Sequence, residues 1–194
     1  MLVSPVEWVL FELGVQFQQI TPDYSLLKQN GSDVVSRLSA AIELYEPDLV
    51  ILHRDSDSRD RQPRVRECEA AIQRLSIECC VICVPVYMSE AWFLFDEQAL
   101  RTAAGNPNGT IELSLPTPRE AERLTNPKQV VEQALLRASE VSGRRLINKR
   151  KRIGSCLHRL AELINDYGPL RESESFSAFE ESLREKVNHI LLYR

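Results

Sequence analysis

Two short apolar runs, Asp48-Leu49-Val50-Ile51-Leu52-His53 and Cys79-Cys80-Val81-Ile82-Cys83-Val84-Pro85-Val86, flank one amphipathic stretch. Runs this short, β-branched and continuously apolar suit strands buried on both faces of a parallel sheet. The stretch between them sets Val65, Cys68, Ile72 and Leu75 at helical spacing, with Pro63 near its start. Strand, helix and strand in that order call for parallel pairing with a crossover. The alternation extends upstream. Val3, Val6, Leu10 and Leu13 share a helical face that Gly14 ends, and Val15 to Ile20 alternates as a strand. Ser32 is placed to cap a helix with Val34, Leu38, Ala41, Ile42 and Tyr45 inward, stopped by Pro47. The expectation is an α/β fold over residues 1–104, with a mainly parallel three- to four-stranded sheet.

After Tyr87 the pattern turns helical. Ser89 is expected to cap a helix from Glu90 to about Ala104, ended by Gly105. A loop rich in Gly, Pro and Asn follows over residues 105–118. Asn126-Pro127 then reads as a cap and first-turn proline for a helix burying Val131, Ala134, Leu135 and Ala138. Two more helices are expected near 150–165 and 175–191, the last with Phe176, Phe179, Leu183, Val187 and Ile190 on one stripe. Residues 105–194 thus form a helical extension packed on the α/β core.

Apolar residues make up 43 % of the 194, enough to bury a core. A net charge of −4 gives no global drive toward nucleic acid or anionic membrane, so any polyanion binding needs local clusters. The first residues carry no basic stretch followed by a long apolar run, and no run approaches the ~18 residues of a spanning helix. Five cysteines, an odd number, without a leader read as reduced thiols in a cytoplasmic protein. Cys80 and Cys83 have the spacing of a zinc or redox pair, but they sit inside an apolar strand and no second Cys/His pair follows, so core packing is the better reading.

Chemistry concentrates in His53-Arg54-Asp55-Ser56-Asp57-Ser58, directly after the first apolar run. Ligands of open parallel sheets bind beyond the carboxyl ends of strands. Asp55 and Asp57, one residue apart on a loop leaving such an end, have the donor chemistry for one hard cation, Mg²⁺ or Mn²⁺. The competing reading is a turn or a cap for the next helix. Arg54, Arg59, Arg61, Arg64 and Arg66 crowd this loop, as partners for the aspartates or for a metal-bridged phosphate. Glu90 follows the next strand and so falls at the same sheet edge, though a glutamate in a first helical turn also complements the helix dipole. His53 reads as structural, and Trp92, Phe93 and Phe95 as a hydrophobic hinge between sheet and extension. A second cluster, Arg144, Arg145, Lys149, Arg150, Lys151 and Arg152, is the strongest basic run in an acidic chain and suits the phosphates of a nucleic acid.

The segment Ser89-Glu90-Ala91-Trp92-Phe93-Leu94-Phe95-Asp96-Glu97-Gln98-Ala99-Leu100 resembles the Glu-Ala-Trp-Phe-Leu signature of a Toprim-like bacterial domain-of-unknown-function family 4276. Asp55-Ser56-Asp57 stands where that family has its acidic strand end, and Asn126-Pro127-Lys128 is similar to the opening of its next helix. The resemblance covers roughly residues 45 to 185. It implies a Toprim-like sheet and a metal-dependent, nuclease-like protein cutting nucleic-acid phosphodiesters, in a setting such as antiphage defence. Asp55 and Asp57 would be metal ligands, and Asp55, Asp57 and Glu90 the catalytic group. Arg54, Arg59, Arg61, Arg64 and the basic run would meet the nucleic acid. The family opens with a strand and an acidic residue, whereas this sequence begins inside a helical pattern, so that third carboxylate has no counterpart here. The alternative expectation is therefore a non-catalytic module that binds nucleic acid, a partner protein or a second copy of itself, with no membrane involved.

Overall fold

A computed structural model describes residues 2–28, 31 and 33–193. The chain starts with helix α1 (Val3–Glu12), which turns Val6, Val9 and Leu10 inward. Short α2 (Tyr24–Lys28) and α3 (Val34–Tyr45) follow. The cap of α3 is Asp33, whose carboxylate accepts from Ser36 N–H at 3.0 Å; Ser32, expected in that role, lies outside the described residues. α3 ends where Glu46 turns left-handed (φ 43°) before Pro47. Strand β1 (Val50–His53), helix α4 (Gln62–Leu75) and strand β2 (Cys80–Cys83) then form the expected strand–helix–strand unit. The strands pair in parallel, from Val50 opposite Cys80 to His53 opposite Cys83.

The sheet stops there. Among the described residues it has two strands, not the three to four expected from the sequence. Val15 to Ile20 alternates correctly but joins no ladder, and Phe17 and Ile20 stay 43 % and 49 % exposed. Alternation creates a strand only where a neighbour accepts its hydrogen bonds and a layer covers its apolar face. Each β1–β2 face does have a layer. Val50 and Leu52 join a small cluster with Val34, Leu38 and Ala71 of α3 and α4. Ile51, Val81 and Cys83 belong to the main core.

That main core is overwhelmingly helical. A 3-10 turn (Ser89–Phe93) follows β2, then α5 (Glu97–Ala103), α6 (Pro118–Ala121) and α7 (Pro127–Ala138). They are joined by α8 (Gly143–Lys151), α9 (Ile153–Leu163), a second 3-10 turn (Gly168–Glu172) and α10 (Glu174–Tyr193). The single helix expected from Glu90 to Ala104 is therefore two elements. Asp96 separates them, since its carboxylate caps α5 through Ala99 N–H at 2.8 Å. One apolar cluster runs from Val6 to Val187 and holds Trp92, Phe93, Leu135, Leu160, Tyr167, Phe176 and Phe179. Trp92 and Phe176 meet edge-on, with ring centroids 5.2 Å apart at 89°. Aromatic side chains buried this completely stabilise the fold by about 1.5–3 kcal/mol each relative to exposure.

Two carboxylates, exposed Glu140 and buried Glu122, fix the loops of the helical part. Glu140 accepts from Thr110 N–H and Ile111 N–H at 2.6 and 2.9 Å, while buried Arg101 donates to Glu97 and to the Ile111 carbonyl. Glu122 accepts from the start of α10 and the residue before it, Ser173 Oγ at 2.6 Å and Glu174 N–H at 3.0 Å among them. Among the described residues, no helix is long and apolar enough to cross a membrane.

Candidate functional sites

The acidic loop lies where the sequence placed it, at the carboxyl end of β1. Ser56 is its anchor. Its buried hydroxyl donates to Ser58 O at 2.5 Å and accepts from Tyr87 N–H at 2.8 Å, and Asp57 N–H donates to Tyr87 O at 3.0 Å. The loop is thereby stitched to the segment leaving β2, with Asp57 and Tyr87 both left-handed (φ 52° and 55°).

This stitching sends the two aspartates to different partners. Asp55 Oδ1 accepts from Ser89 N–H at 3.0 Å and lies 3.4 Å from His53 Nε2, a buried atom with no aligned hydrogen bond. Burial opposes ionisation of Asp55, but the His53 imidazole and the Ser89 N–H outweigh it and hold the carboxyl below its ordinary range. Asp57 is mostly exposed, and its nearest cation is Arg64, at 3.9 Å. Glu90 follows Ser89 in the chain and is buried in the 3-10 turn. Among the described residues, no three His, Cys, Asp or Glu side chains gather as a metal-binding group. Mg²⁺ needs near-octahedral oxygen donors around one point. Asp55 is engaged with Ser89 and His53, whereas Asp57 faces solvent and Arg64.

The arginines of this loop are partly spent. Arg54 and Arg64 both reach Glu67, at 3.4 and 2.8 Å. Arg59 is exposed and Arg61 half-buried, and among the described residues neither forms an ion pair with a carboxylate. Four of the cysteines, Cys68, Cys80, Cys83 and Cys156, are buried, and Cys79 is half-buried. All five are free thiols. Burial pushes Cys68 and Cys80 up to about 11 and Cys83 well up, so these three stay neutral.

The basic run behaves differently. From Arg144 to Lys151 it occupies a helix of its own, α8, which buries no side chain, and Arg152 is the C-cap of that helix. With the end of α5 and the start of α9 this helix frames an open groove of about 730 Å³. Arg145, Lys149, Lys151 and Arg152 line it, and so does Arg159 of α9, which the sequence reading missed. Arg159 lies three residues beyond Cys156 and four beyond Ser155 on one turn of α9, and all three line the groove. Lys149 Nζ donates to the Ala104 carbonyl at 2.6 Å, tying α8 to the end of α5. No acidic side chain lines the groove. Among the described residues, neither Arg159 nor any cation of the run forms an ion pair with a carboxylate.

Comparison with family models, curated proteins and solved structures finds no match for this chain.

Proposed function

We propose that this chain is a nucleic-acid-binding module that grips the phosphodiester backbone through the α8–α9 groove, without cutting it. One observation carries this reading: five cations line one groove, with no carboxylate on its walls and no ion pair to spend them. In a chain of net charge −4, holding so many like charges together costs self-repulsion. An anionic partner offsets that cost and releases the counterions of its own phosphates. The acidic loop supports cleavage less well, because its two aspartates are held by separate partners.

The test is fluorescence anisotropy with labelled nucleic acid at low salt. The wild type is expected to bind, with affinity falling steeply as salt rises. Neutralising Arg145, Lys151, Arg152 and Arg159 to Gln is expected to weaken binding and flatten the salt dependence. No binding by the wild type at low salt would remove this reading.

A further inference from the structure

We infer that the α8–α9 groove takes the backbone of a double-stranded nucleic acid and disfavours single strands, an inference that rests on the function proposed above. Proteins that hold single strands combine a basic channel with aromatic side chains on which bases stack, each stack contributing about 1–3 kcal/mol. This groove has the first feature and lacks the second. Its lining is Arg, Lys, Asn, Ser, Cys, Val, Ala and Gly, with no Phe, Tyr, Trp or His. Trp92, Tyr167, Phe176 and Phe179 are sealed in the core at 1 % exposure or less, and exposed Tyr193 at the end of α10 is not among the residues lining the groove.

A surface that meets only phosphates answers to their density. A duplex presents one charge per ~1.7 Å of axis, twice that of one of its strands, and returns more counterions per contact. Helix α8, nine residues long, extends about 14 Å at ~1.5 Å per residue. At ~3.4 Å per phosphate along one strand, that length matches about four phosphates. With four contacts, the difference between ~0.9 and ~0.7 counterions per contact amounts to roughly tenfold in affinity near 0.05 M salt, in favour of the duplex.

The experiment compares a labelled duplex of mixed sequence with each of its strands, as DNA and as RNA, over a salt series. The variant Arg145→Gln/Arg152→Gln/Arg159→Gln is measured alongside. All three side chains are exposed and unpaired, so the variant keeps its fold, which circular dichroism checks. The expected result is tighter binding by a duplex than by its strands, on the order of tenfold at low salt. Binding should be indifferent to base sequence, with a salt slope shallower by about 2–3 in the variant. Equal or tighter binding by a single strand, still weakened in the variant, overturns the duplex preference and leaves the groove as the binding site. An unchanged slope in the variant, or no binding by the wild type, overturns the groove itself.

Discussion

Glu122 accepts hydrogen bonds from both the backbone N–H and the hydroxyl of Ser175, although 53 residues separate them. Ser173 Oγ and Glu174 N–H point at the same carboxylate, so the opening turn of α10 has its free donors satisfied by a side chain from elsewhere in the chain. The negative charge also faces the positive end of the helix. Glu122→Ala leaves these buried donors unpaired and is expected to cost about 3 kcal/mol or more, read as a lower urea midpoint at unchanged slope. Glu122→Gln, which keeps one acceptor, is expected to cost less. Equal stability of wild type and Glu122→Ala would show that α10 is not held this way.

Asp55 makes stability depend on acid. Its carboxyl is held below its ordinary value in the folded state. Its contribution is therefore fully present above the unfolded carboxylate pKa and is lost as pH falls through the lower, folded one. Asp55→Asn is expected to lose about 1 kcal/mol near neutral pH, a figure kept small by partial exposure. The gap to wild type should close as the pH drops below ~4. A gap constant down to acid pH would mean that the ionised carboxylate contributes nothing.

Because Asp55 and Asp57 serve different partners, millimolar Mg²⁺ or Mn²⁺ is expected to leave labelled plasmid, single-stranded DNA and RNA intact. Gel analysis over several hours checks this. Robust cleavage that disappears in Asp55→Ala would establish the acidic loop as a catalytic centre.

The thiols should divide by exposure. Cys79 is half-buried, while Cys68, Cys80, Cys83 and Cys156 are buried. A thiol reagent is expected to modify Cys79 fast in the native protein and the other four only on unfolding. Cys79→Ser should abolish the fast phase. Rapid modification of Cys83 would contradict its place in the core.

Local signals were legible where they were self-contained. The β1–α4–β2 unit follows from two apolar runs around one amphipathic stretch, and the start of α7 from Asn126-Pro127, whose carboxamide oxygen accepts from Gln129 N–H at 3.1 Å. What escaped depends on distant residues. The period of Val15 to Ile20 says which side chains would share a face, not whether another strand is present to pair with. The break at Asp96 was hidden because Trp92, Phe93 and Leu94 are buried all round, and a run without a polar side carries no period to interrupt. In the acidic loop the residues were found but not their directions, since Ser56 sets these by bonding to Tyr87, 31 residues on. Arg159 entered the groove through the packing of α9 beside α8, which spacing within either helix does not reveal.

The reach of the apolar cluster, from Val6 to Val187, bears on how the protein comes to be folded in a cell. Helix α10 packs against β2 and ties to the segment just before it through Lys186 Nζ and the Glu78 carbonyl, 108 residues apart at 2.9 Å. Contacts of such separation carry a large loop-closure cost and slow folding. During synthesis, the faces of Trp92, Val81 and Val9 therefore wait uncovered until α10 has left the ribosome. At ~5–20 residues per second, the stretch from Trp92 to Val187 takes about 5–20 s to make. For that interval the nascent chain offers chaperones a long-lived apolar surface.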